Sequence, residues 1–218
     1  MIMKQPKQPG GKNMAKIDLK KELYDFYQAS ASAIQIVELP AMQFLMVDGA
    51  GDPNLSQAYQ DAVAALFSLS YTLKFMAKKA APGIDYGVMP LEGLWWTVDR
   101  AAFSPERKDL WQWTALIMQP DFISAAMVDR ARVELQRRKD LPALADVRFG
   151  PLAEGTAAQI LHIGPYAAEQ PTIAKLHQYI NDNGYQPSGK HHEIYLSDPR
   201  KAAPEKLKTI IRQPIVKK

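Results

Sequence analysis

Strand, glycine-bearing turn, helix, strand, strand: this order is written twice along the 218-residue chain, and it restricts the fold to a pair of related layered units. The first copy opens on an apolar, β-branched run at 36–48 that Asp48-Gly49-Ala50-Gly51-Asp52-Pro53 turns back. Leu55, Tyr59, Ala62, Leu66, Leu69, Leu73 and Met76 then follow in alternating steps of four and three, one stripe of a long helix. Asn54 with Gln57 resembles a capping pair, and Lys78 and Lys79 suit a helix C-terminus, so the helix should run for about 24–27 residues. Two aromatic runs, 86–98 and 110–118, flank a polar loop with Ser104, Pro105, Glu106, Arg107 and Lys108 and read as an antiparallel pair.

The second copy is shorter. A strand at 156–163 ends at Gly164-Pro165, a helix follows at 172–183 with Gly184 as terminator, and strands lie at 191–196 and within 206–216. A helix at about 121–140 joins the copies, with Ile123, Met127, Ala131 and Leu135 on one side. The repeats therefore span about 36–120 and 148–216 of one domain at 16–218, behind a loose arm at 1–15 rich in proline, glycine and lysine. Three strands under one helix are marginal alone, so the units should join about a pseudo-two-fold axis. The expected fold class is α+β: duplicated βαββ units with antiparallel sheets, helices packed on the sheets, and a ligand cleft between the units.

Matching the later strands by their aromatics sets Trp95 against Tyr195 and Gly93 against Glu193. Glu193 and Tyr195 lie two residues apart on an alternating strand and so share a face, while His191 and His192 point to opposite faces. Glycine at 93 should leave room in the cleft, and Glu193 should supply charge. Trp95, Trp96, Trp111 and Trp113 crowd one hairpin, and alternation forces some of these indoles away from their own unit's helix. They either meet the other repeat's core or line a cavity suited to bulky planar molecules. Phe67, Tyr71 and Phe75 form a further row that reads as wider core contact or as ligand contact. A carboxylate in such a cleft can pair with a ligand cation or act as a base, and Tyr195, Tyr166 and Tyr71 can donate hydrogen bonds.

Composition removes several alternatives. There is no cysteine, so disulfides and thiolate chemistry are excluded. The four histidines have no metal-ligand spacing, and there is no P-loop, GxGxxG or GxSxG, so no metal and no cofactor are expected. The net charge of +4 is concentrated at the chain ends and reads as solubility, with no direct DNA binding expected. No apolar run reaches about 20 residues, which argues against a membrane span and for a cytoplasmic protein.

Several stretches carry a resemblance: Phe44-Leu45-Met46-Val47-Asp48-Gly49-Ala50-Gly51-Asp52-Pro53-Asn54, Ser70-Tyr71-Thr72-Leu73-Lys74-Phe75, Met89-Pro90-Leu91-Glu92-Gly93-Leu94-Trp95-Trp96, Met118-Gln119-Pro120-Asp121-Phe122, and the run from His191 to Lys208. Together they resemble the GyrI-like small-molecule-binding family over about 16–216. The resemblance implies tandem βαββ units and an aromatic pocket between them, with the glutamate of multidrug-binding members falling on Glu193. Trp95, Trp96, Trp113, Tyr166 and His191 join Glu193 and Tyr195 as candidate ligand-binding residues. Regulators of this family carry a helix-turn-helix, for which the roughly 30 residues before the first strand leave no space. A stand-alone receptor for hydrophobic, aromatic or cationic compounds, in drug or toxin resistance, is the first functional expectation. The second is a hydrolase opening the cyclopropane of DNA-alkylating natural products, with Glu193 as base and Tyr71 or Tyr195 polarising the conjugated carbonyl. The third is a protein that modulates DNA gyrase.

Overall fold

The computed structural model describes residues 16–81, 83–99 and 105–218; the expected arm at 1–15 and the loop residue Ser104 lie outside the described residues. Two short helices, α1 (Leu19–Glu22) and α2 (Tyr24–Tyr27), precede β1 (Gln35–Leu39) and β2 (Met42–Ala50). The apolar run at 36–48 is thus two strands rather than one. Pro40, with a fixed φ and no N–H to donate, stands between them. Helix α3 (Gln57–Lys79), β3 (Glu92–Trp96) and β4 (Gln112–Gln119) complete the first copy. The connecting α4 (Ala125–Gln136) leads to β5 (Arg148–Leu152), β6 (Gly155–Ile163), α5 (Gln170–Asp182), β7 (Tyr185–Pro187), β8 (His191–Tyr195) and β9 (Lys208–Lys217).

The strands form one sheet in the order β1-β6-β9-β8-β3-β4-β2-β5, with β7 beside the end of β9 and every pairing antiparallel. The run β6-β9-β8 reads outward from the centre as β8-β9-β6, and its neighbour reads outward as β3-β4-β2. The two halves meet at β3 and β8, where Gly93 pairs with Glu193. Each copy also lends a leading strand to the other: β1 runs into β2 yet pairs with β6, and β5 runs into β6 yet pairs with β2. That exchange ties the halves together and caps edges that would otherwise be open.

Alternation assigns the two faces. Leu45, Val47, Ala115 and Ile117 lie in register on the face that also carries Trp113, and they are buried with Leu66, Leu69 and Leu73 of α3 in one core. On the same face in the other half, Ala158, Ile160 and Ile211 form a smaller core with Leu176 and Ile180 of α5. Each such leucine or isoleucine contributes about 1.5–3 kcal/mol on burial. α3 and α5 therefore stand side by side over one face of the sheet. Ser56 caps α3 by accepting from the Tyr59 amide at 3.2 Å, two residues later than the Asn54 pair predicted. α4 packs against α3 rather than on the sheet.

The opposite face is covered by the N-terminal helices and holds a buried ionic chain. Tyr27 donates to Glu92 at 2.7 Å, and His192 lies between Glu92 at 2.9 Å and Glu154 at 3.0 Å. Arg212 joins Glu154 at 3.4 Å, donates to Gln159 at 3.0 Å and reaches the Phe26 carbonyl. Two carboxylates face two basic side chains, so a charge that would be prohibitive alone is balanced inside the fold.

Candidate functional site

At the middle of the helix-covered face, β8 presents His191, Glu193 and Tyr195 in line, and β3 presents Gly93 and Trp95 opposite them. Trp95 Nε1 donates to the Tyr195 hydroxyl at 3.2 Å, and that hydroxyl donates to Glu193 Oε2 at 2.8 Å. Glu193 Oε1 lies 3.1 Å from His191 Nε2. Facing a carboxylate, that nitrogen is the protonated one, which assigns the imidazole tautomer. Both carboxylate oxygens are thus engaged, yet the Glu193 side chain keeps 12% of its surface exposed. The acid is held at the edge of the seam, neither sealed in the core nor displayed on the outside.

Aromatic rings wall this acid. Tyr59, from the first turn of α3, lies 5.8 Å from Trp95 and meets Trp113 edge-on at 5.0 Å. Trp111 is 5.5 Å from Trp95, and Tyr166 stands edge-on to Tyr195 at 5.4 Å. The expectation that Gly93 leaves open space is corrected here. A Cβ at that position would lie 2.7 Å from the Trp95 indole nitrogen, because the indole folds back over its own strand and fills the gap. Gly49 serves Trp113 in the same way, since a Cβ there would lie 2.2 Å from the indole. The seam is packed by rings that meet one another. A broad open depression of about 780 Å³ lies elsewhere, between the N-terminal helices and β1, with Tyr24, Phe26, Ile36 and Val37 on its walls. It includes no residue of the Glu193 cluster.

The electrostatics follow from burial and from Glu193. The Tyr59 and Tyr195 phenols are pushed well above their ordinary range, first by burial and then by the adjacent carboxylate. Tyr166 is raised by burial, by Glu169 and by Glu193. All three remain neutral hydrogen-bond donors at physiological pH. His177, on α5, is lowered by burial and by His191, which favours its neutral form.

Of the residues predicted from sequence, the structure brings together Trp95, Trp113, Tyr166, His191, Glu193 and Tyr195. It does not bring in Trp96 or Tyr71. Trp96 alternates to the opposite face, where Lys190 stacks on its ring at 3.2 Å. Tyr71 is half-exposed on α3 beside Phe67 at 6.5 Å. Phe75 is likewise exposed, so within this row wider core contact describes Phe67 alone, which packs against the large core. Sequence reasoning missed Tyr59, which it placed only in the core stripe, and Glu169, which no motif marks. A polar-tipped ring at the first turn of the long helix was the available signal for Tyr59.

An α+β sheet with two helices on one face and an acid set among aromatic rings between them defines a small-molecule-binding class. The GyrI-like small molecule binding domain matches residues 32–216, and the chain belongs to that family. Among solved structures it is similar to an uncharacterized conserved protein from Listeria innocua, at 40% identity and TM-score 0.84, with 92% of this chain and 100% of that chain covered. It is also similar to two proteins from Listeria innocua described as hydrolases. One is 39% identical at TM-score 0.79, over 92% of this chain and 100% of that chain. The other is 38% identical at TM-score 0.82, over 93% of this chain and 100% of that chain. A search of curated proteins finds no match. Among the described residues no helix is long and apolar enough to cross a membrane.

Proposed function

We propose that this protein is a receptor for hydrophobic, aromatic or cationic small molecules, bound in the seam between α3 and α5 and serving resistance to drugs or toxins. One observation carries this reading: Glu193 stands part-exposed among Tyr59, Trp95, Tyr166 and Tyr195, with donors on both oxygens. Flat rings supply dispersion and cation-π attraction, worth about 0.5–2 kcal/mol for each well-placed ring, and the carboxylate neutralises a bound positive charge. Titration of the tryptophan fluorescence with ethidium and with a neutral polycycle of similar size tests it. Glu193→Gln should weaken ethidium binding and spare the neutral compound. Equal loss of both would remove the electrostatic role of the acid.

A second reading is favoured by the two relatives described as hydrolases. In it Glu193 takes a proton from water as the oxygen attacks a cyclopropane CH2. The ring C–C bond breaks, and its electrons move to the conjugated carbonyl oxygen, which becomes a phenolate and accepts a hydrogen bond from Tyr195. Ring strain lowers the catalytic demand. Incubation with a cyclopropane-bearing alkylator, followed by mass spectrometry, should show addition of water at a rate lost in Glu193→Gln; a rate equal to buffer removes this reading for that compound.

A further inference from the structure

Glu169 immediately precedes α5, where a carboxylate ordinarily accepts a hydrogen bond from the first helical amides. It makes no such cap. The residue is only 4% exposed, and its Oε1 has no hydrogen-bond partner among the described residues. The Thr209 hydroxyl lies near enough to favour its anion, but Thr209 Oγ1 is also buried without a bond of normal geometry. Glu169 and Thr209 thus lie close enough to interact in the buried part of the seam, without a hydrogen bond of good geometry between them. Thr209 pairs with Tyr195 in the β8–β9 ladder, which places both on the face that carries Glu193.

We propose that Glu169 is a specificity-determining acid of this site: its buried carboxyl, with one oxygen unpartnered, donates an O–H to a carbonyl oxygen on a bound aromatic ligand. This rests on the receptor reading above and names the ligand class more closely, as planar compounds bearing an acceptor oxygen. Burial disfavours the charged form of a carboxyl, and a neighbouring negative charge disfavours it further. Burial comes first and the Glu193 charge second in pushing Glu169 up to about 9. The groups that act on or feel it are Glu193 and Tyr195 of β8, Thr209 of β9, Tyr166 in the turn before α5, and Lys108, whose positive charge opposes the shift. Tyr195 and His191 already donate to Glu193, whereas Glu169 Oε1 has no hydrogen bond of normal geometry. The neutral acid therefore has an unspent hydrogen to offer.

The test has two arms on the full chain. Carbon-13 NMR of glutamate side-chain carboxyls, assigned with Glu169→Gln, should show Glu169 titrating near 9. A midpoint near the ordinary value of about 4.3 overturns the proposal. The second arm compares fluorenone with fluorene, flat neutral molecules that differ by one carbonyl, by quenching of tryptophan fluorescence. Fluorenone affinity should fall about tenfold between about pH 7 and about pH 10 in the natural protein, with fluorene unchanged and Glu169→Gln flat for both. The Tyr59 and Tyr195 phenols are held well above this range, and any contribution from Tyr166, also raised, persists in Glu169→Gln and is read there. Fluorenone binding with a flat profile, or with the same profile in Glu169→Gln, overturns this inference alone. Failure of both compounds to bind overturns it together with the receptor reading.

Discussion

Gly93 and Glu193 face each other across the ladder between β3 and β8, at the point where the two halves of the sheet exchange. One repeat places its acid there, and the other places a residue with no side chain. The Trp95 indole occupies the space over that glycine and thereby reaches the Tyr195 hydroxyl. The asymmetry at this pair makes one half of a near-symmetric fold the wall of the seam and the other half its charge.

Gly93→Ala should therefore unseat the indole. Overpacking of this kind costs about 1–3 kcal/mol, to be read as a lower midpoint in urea denaturation. The Trp95–Tyr195 hydrogen bond should be lost with it, visible as a shifted indole N–H resonance. An unchanged midpoint and an unchanged resonance would mean that the indole moves at no cost.

Trp95 and Trp96 are adjacent in sequence and opposite in role. Trp95→Ala should weaken binding of planar ligands by about tenfold or more. Trp96→Ala should leave affinity unaltered while lowering stability by up to about 3–5 kcal/mol, through lost packing on the core and the lost Lys190 stack. Equal effects on affinity would show that the faces are not distinguished by ligand.

Tyr195→Phe removes a donor to Glu193 and an acceptor for Trp95. Hydrogen bonds to charged groups contribute about 1.5–3 kcal/mol, so the variant should be less stable by about that amount. If ring opening occurs, kcat should fall more than KM changes, because the phenol acts on charge that develops during reaction. A change confined to KM would assign Tyr195 to binding only.

Stability should decline from neutral toward alkaline pH. Burial opposes charge on His192, but Glu154 and Glu92 outweigh it and raise the imidazole from 6.5 to about 9. A raised group contributes fully below its unfolded value, and the contribution, on the order of a few kcal/mol, is lost as pH climbs through the folded value. Glu169 adds a decline of the same sign that begins lower, near the ordinary carboxyl range. Glu154, held low by His192 and Arg212 despite burial, acts oppositely and loses its contribution on acidification. Urea titrations should show His192→Asn less stable overall, by about 3–5 kcal/mol, and flatter between about pH 7 and 9. A natural protein equally stable across that window would contradict the charged imidazole.

Much of the fold was legible because it is written in short-range periodicity. The stripe from Leu55 to Met76 predicted α3, the apolar alternation predicted β4, β6 and β9, and the match of Gly93 to Glu193 anticipated the central pair. Pro40 was present in the sequence, but its division of the first strand was missed. At the site, residues that share a strand were grouped correctly, since His191, Glu193 and Tyr195 need only alternation to be aligned. Tyr59 and Glu169 reach the cluster from elements far away in sequence, and no local pattern marks such an approach.

The amino-acid order by itself determined the elements, their repetition, and which side chains share a face within each strand, because these depend on backbone geometry over a few residues. The tertiary structure alone decided which face α3 and α5 cover, that β1 and β5 change partners, that Trp95 rather than Trp96 meets the acid, and that Glu169 turns inward. Those outcomes depend on how the whole sheet buries both of its surfaces at once. That is a property of packing among distant segments, to which no single stretch of sequence holds the answer.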